Sequence, residues 1–111
     1  MLNIALVVFV VAATAGATLA YMRIVKKDVS MPLAIVHGIA AATGLVLLIL
    51  GVMQMGSTGS KISLAIFLLA ALGGFTLFSF HLRSRPMPVP LVYIHGGAAV
   101  VAFLILLLTV L

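Results

Sequence analysis

The sequence predicts an all-α membrane protein: a four-helix, up-down bundle built from two tandem helical hairpins that insert the same way up. Three observations carry that expectation. Hydrophobic residues make up 66% of the 111 residues and charged residues only 6%, whereas a soluble domain carries about 25% charged residues to cover its surface. The apolar residues fall into four stretches, each near the roughly 20 residues that a spanning helix needs. The segment "PLAIVHGIAA", beginning at Pro32, returns as "PLVYIHGGAA", beginning at Pro90, fifty-eight positions later. The whole chain, residues 1–111, is one integral membrane domain, with repeat one at 1–58 and repeat two at 59–111.

The first span covers about residues 2–22. Its "ATAGATLA" has the small residues of a signal-peptide cleavage site, yet no Lys or Arg precedes the apolar run. Shifted by fifty-eight, Ile4, Leu6, Phe9, Ala12, Ala13, Gly16, Thr18 and Leu19 meet identical residues from Ile62 to Leu77 without a gap. The first span is therefore expected to be a retained helix, the counterpart of the third. A charged link follows it, Arg23 to Asp28. The second span covers about 32–55, with Pro32 suited to a helix's first turn. Gly56-Ser57-Thr58-Gly59-Ser60 reads as a turn. The third span covers about 62–82. A basic, proline-containing link, Arg83 to Pro88, leads to the fourth, about 89–111. Links this short force sequence neighbours to be antiparallel neighbours in space. Two spans per unit put both units the same way up, about an axis along the membrane normal.

The repeated histidines follow from that symmetry. His37 and His95 are expected at one depth, each five residues beyond a proline, about one and a half turns inside its helix. Histidine in hydrocarbon is costly and needs a partner. Below His37 at helical spacing come Ala41 and Gly44; below His95 come Ala99 and Ala102; Gly38 and Gly96 match as well. Two imidazoles across a slot cleared of bulk fit one haem b, with His37 and His95 as the axial metal ligands and the macrocycle along the small residues. Small residues at every fourth position also serve plain helix packing. A quinone, or a chlorophyll whose magnesium takes the histidines, fits the same pattern. Arg23, His81 and Arg83, near the basic end, are candidates to receive haem propionates. They also act as topology signals and interfacial polar residues. Tyr21 and Tyr93 are expected as interfacial anchors.

Absences narrow the class. The chain lacks cysteine, which excludes disulfides, iron–sulfur clusters and thiolate-bound metals. Four spans at this length look like a small multidrug-resistance exporter, but that family relies on a membrane-embedded glutamate, and the only acid here is Asp28 in a charged link. No hydrolytic constellation or phosphate loop is present. The net charge of +5 sits in the links, as membrane topology requires, and is not a nucleic-acid signal.

The layout resembles that of membrane-embedded b-type cytochromes, four-helix bundles with histidine ligands on facing helices. The resemblance covers the architecture and the two histidines. It departs from those cytochromes that hold a haem in each leaflet, since no histidine lies in the outer half. It implies one haem b and an electron-transfer role more than a stand-alone enzyme, between a quinol or cytoplasmic donor and a redox partner protein. The other reading from these residues is a structural or accessory subunit of a larger membrane complex. The small-residue faces also suit a homodimer.

Arg23, Lys26, Lys27, Arg83 and Arg85 mark one side and Lys61 the other. Positive residues stay cytoplasmic, so both termini are expected outside, in a bacterial inner membrane. Cysteine placed at Ser57 should label from the periplasm and cysteine at Ser84 should be protected. The reverse pattern inverts the topology.

Overall fold

A computed structural model covering residues 1–111 has four helices: α1 Leu2–Ile24, α2 Met31–Met55, α3 Thr58–Leu82 and α4 Val89–Val110. Each is long and apolar enough to cross a membrane. Their starts and stops are local chemistry. Ser30 caps α2, its side chain accepting from the Leu33 N–H, with Pro32 in the first turn. Prolines also open α4, whose cap residue Pro88 offers no side-chain acceptor. The turn expected at 56–60 is shorter than its composition suggests. Ser57 and Ser60 form a capping box: the Ser57 hydroxyl accepts from the Ser60 N–H at 3.2 Å, and the Ser60 hydroxyl accepts from the Ser57 N–H at 2.9 Å. That pair starts α3 at Thr58 and brings Lys61 into the helix, not the link.

The ends of α1 and α3 share one device. Lys26 donates its N–H to the Arg23 carbonyl and Lys27 donates to Met22; Ser84 donates to His81 and Arg85 to Phe80. These are Schellman closures, which place the intervening residue in the left-handed region. Lys26 has φ 60° and Ser84 φ 55°, the only non-glycine residues in that region. Fifty-eight positions separate them.

The helices pack in a square in chain order. α1 lies closely on α2 and α3 closely on α4; the seams α1–α4 and α2–α3 are sparser. No Cα of α2 comes within 8 Å of α4, nor any of α1 within 8 Å of α3. The histidine-bearing helices are thus diagonal. The core is a thin layer of Ala5, Phe9, Leu48, Phe67, Ala102 and Leu106. Phe9 and Phe67 reach across the α1–α3 diagonal and stack at 4.1 Å, their planes within 6°. Gly44 admits the Phe9 ring: a Cβ there would stand 2.9 Å from it. Ser63, fully buried, donates to the Ala102 carbonyl at 2.8 Å. The outer faces are apolar and open; Val7, Ile39, Leu72 and Ile94 are each more than 60% exposed, as lipid-facing residues are.

The aromatic stack carries a first expectation for stability. Phe9→Ala should cost on the order of 3 kcal/mol, the size of an aromatic deletion from a packed core. Ser84→Gly should instead stabilise by about 0.5–1 kcal/mol, because glycine enters the left-handed region without the usual penalty. Unfolding titrations in mixed micelles check both. A destabilised Ser84→Gly would mean that the serine side chain outweighs the backbone strain.

Candidate functional site

Two turns from the aromatic layer, the diagonal helices α2 and α4 bring their histidines together. The His37 and His95 rings have centroids 6.2 Å apart and planes at 87°. Each ring is tied to the neighbouring helix of its own hairpin. The Nδ1 of His37 lies 2.8 Å from the Ala12 carbonyl on α1, and the Nδ1 of His95 lies 2.7 Å from the Ala70 carbonyl on α3. A carbonyl oxygen only accepts, so each Nδ1 carries the proton and donates. In a neutral ring that leaves Nε2 with its lone pair. Neither Nε2 has a hydrogen-bond partner, and neither is sealed in the interior. Both rings are half-buried.

Glycines let the rings in. A Cβ on Gly16 would stand 2.8 Å from the Cε1 of His37, and one on Gly74 would stand 3.0 Å from the Cε1 of His95. Real carbon contacts are longer, so any larger residue there displaces the imidazole. Gly73 adds room at the His95 backbone, where its Cβ would lie 3.4 Å from the histidine Cβ.

The other residues singled out in the sequence divide three ways. Ala41 and Ala99 are half-buried one turn below the histidines. Gly44 and Ala102 lie deeper, in the aromatic layer, Gly44 against Phe9 and Ala102 bonded to Ser63. Gly38 and Gly96 face open space, with nothing within 4 Å of an added Cβ. At the basic end, Arg23 and His81 line a polar cleft of about 490 Å³ between the two links, together with Lys26, Lys27, Asp28 and Arg85. Arg23 spans it, donating from Nε to the Met87 carbonyl at 2.7 Å. His81 meets the Phe78 ring edge-on. Arg83 is not part of the cleft. Its guanidinium turns back onto α3, bonding the Ser79 carbonyl and hydroxyl and lying over Phe80.

Sequence reasoning named the histidines and missed what holds them. The Ala12 and Ala70 carbonyls and the glycines Gly16 and Gly74 complete the site. A signal was present: both pairs belong to the ungapped match between the first and third spans.

Chemically, an imidazole whose Nδ1–H is held by a backbone carbonyl has only Nε2 left for a further partner. No third His, Cys, Asp or Glu joins them. Comparison with protein families, curated proteins and solved structures finds no match to this chain.

Gly16→Leu and Gly74→Leu should each expel a histidine from its carbonyl and lower bundle stability, while Gly38→Leu should be tolerated. Thermal melts of the three purified variants decide this. Equal tolerance at all three positions would mean that the rings do not depend on the glycines.

Proposed function

We propose that the chain is a small membrane-embedded b-type cytochrome, holding one haem b between α2 and α4 through His37 and His95. The observation that carries the reading is the histidine pair itself. A metal–imidazole bond is about 2.0–2.1 Å, and a ring nitrogen lies roughly 1.1 Å from the ring centre. Two imidazoles on opposite sides of one ion therefore have centres about 6.2–6.4 Å apart, and the pair here measures 6.2 Å. Both Nδ1 protons are already engaged, which leaves the two Nε2 atoms for metal. A bare ion would find only two protein ligands. A metal whose equatorial positions are filled by a tetrapyrrole needs two and no more.

The residues take these roles. His37 and His95 would hold the haem iron, oriented and made more basic by the Ala12 and Ala70 carbonyls. Gly16 and Gly74 keep space at the rings. Ala41 and Ala99 present small side chains beside them. Arg23 and His81 stand at the ends of α1 and α3, seven residues or about 10 Å along the helix from those glycines, and would offer hydrogen bonds to the propionates, that of Arg23 charge-assisted. The haem supplies reversible one-electron chemistry. The protein's part is to fix the ligands, exclude water with apolar walls and set the potential through the axial bonds. A centre so near one side cannot carry an electron across about 30 Å of hydrocarbon alone, so the role is local, from a quinol or cytoplasmic donor to a partner protein.

The same reading takes the fold as a duplicated hairpin, both copies inserted alike, with termini outside a bacterial inner membrane. It is supported by the pairs that recur fifty-eight residues apart: Phe9 with Phe67, Ala12 with Ala70, Gly16 with Gly74, Lys26 with Ser84 and His37 with His95. Both basic links also line one cleft, at one end of the bundle.

A pyridine haemochrome spectrum of the purified protein tests the assignment. Haem b with a six-coordinate, low-spin reduced spectrum is expected. His37→Ala and His95→Ala should each lose haem or become five-coordinate. Only neutral imidazole ligates, so acidification should release the metal and never strengthen its binding. An extract containing chlorophyll selects a pigment protein, and a colourless protein selects a structural subunit or a quinone site. Two alanine variants with unchanged low-spin spectra would remove both histidines as ligands.

A further inference from the structure

The cleft between the two basic links gathers four of the chain's six lysines and arginines. Arg23, Lys26, Lys27 and Arg85 line it, with His81 beside them. The chain has one acid, Asp28, which lines the same cleft. Even with two propionates seated at Arg23 and His81, the cations Lys26, Lys27 and Arg85 face a single carboxylate.

Three observations support a shared site for Lys26, Lys27 and Arg85, which are exposed side chains. The cleft is open and offers about 490 Å³, room for a phosphate ester with its glycerol. Its two walls, one from each hairpin, are pinned by the bond from Arg23 to the Met87 carbonyl. Charge at the opposite end of the bundle is limited to Lys61.

From these observations we infer that the cleft binds the phosphodiester of an anionic phospholipid, one lipid per chain. The cleft opens where the spanning helices α1 and α3 end, so it faces the headgroup layer. A phosphodiester with no cation of its own suits the excess of guanidinium and ammonium groups. A zwitterionic headgroup brings its own ammonium and loses that advantage. The inference does not rest on the haem.

Native mass spectrometry of the full chain in non-ionic detergent tests it, with phosphatidylglycerol, phosphatidylcholine and inorganic phosphate titrated separately. One phosphatidylglycerol should bind saturably, about tenfold more tightly than phosphatidylcholine. Lys26→Gln with Arg85→Gln should remove that preference, and Lys61→Gln should leave it intact. Arg85→Gln alone, in an exposed link, serves if the double variant does not fold. Absorption spectra of the same samples should not change, which separates this site from the histidine pair. Equal binding of the two lipids, retained preference in the Arg85→Gln variant, or inorganic phosphate binding as tightly as phosphatidylglycerol would each overturn the assignment to a lipid.

Discussion

An imidazole inside hydrocarbon must find its hydrogen bond in the protein, and in this chain each finds it in the carbonyl of the adjacent helix. Much else depends on that bond. It joins α2 to α1 through Ala12 and α4 to α3 through Ala70. The ring that reaches the carbonyl occupies the space a side chain would take at Gly16 or Gly74, where an added Cβ would stand 2.8 Å and 3.0 Å from Cε1. Once Nδ1 has donated, the tautomer of a neutral ring is fixed and Nε2 keeps its lone pair. One contact thus sets helix packing, residue size and the chemistry available at the ring. It also explains why the close seams run within hairpins and the sparse ones between them.

The two halves of the bundle then divide the work of cohesion. In one half, Phe9 stacks on Phe67 across the diagonal, with Leu48 and Leu106 filling the remaining corners. In the other half, no comparable apolar plug joins the diagonals, and the imidazole planes stand at 87° to each other. Lipid gives helices no hydrophobic reason to associate, so the aromatic layer and the carbonyl bonds carry the cohesion. The proposed haem site would gain from this arrangement, because the packed half holds the frame beside it.

The number of spans, their order and the histidine pair were legible because each is written in composition or repetition. The spacing of fifty-eight marked His37 and His95, and the depth argument placed them together. Other features were not legible, for definite reasons. A backbone carbonyl has no letter, so Ala12 and Ala70 looked like ordinary small residues. Gly44 and Ala102 share helical spacing with the histidines, but two turns of helix carry them into the Phe9–Phe67 layer, which periodicity alone does not reveal. Arg83 has the right charge at the right end, yet the hydroxyl of Ser79 one turn back captures it. The early start of α3 depended on Ser57 and Ser60 capping each other, where serine and glycine otherwise read as a turn.

Divergence between the halves follows position in the bundle. Residues that meet their own counterparts are the same in both halves: Phe9 and Phe67, His37 and His95. Under the proposed duplication, a change at such a place alters both sides of one contact, so both copies are constrained. Toward the basic end the counterparts differ. Arg23 answers to His81, Lys26 to Ser84, Asp28 to Pro86 and Ser30 to Pro88. An unaltered duplicate would have a two-fold symmetric cleft, matched to a symmetric group. The substitutions leave Asp28 and both lysines on one wall, and Arg85 with Pro86 on the other. The bond from Arg23 to Met87 likewise has no equivalent, because histidine at position 81 lacks the guanidinium reach. The cleft is therefore chiral and one-sided where the histidine pair is balanced, and it suits a ligand whose two ends differ.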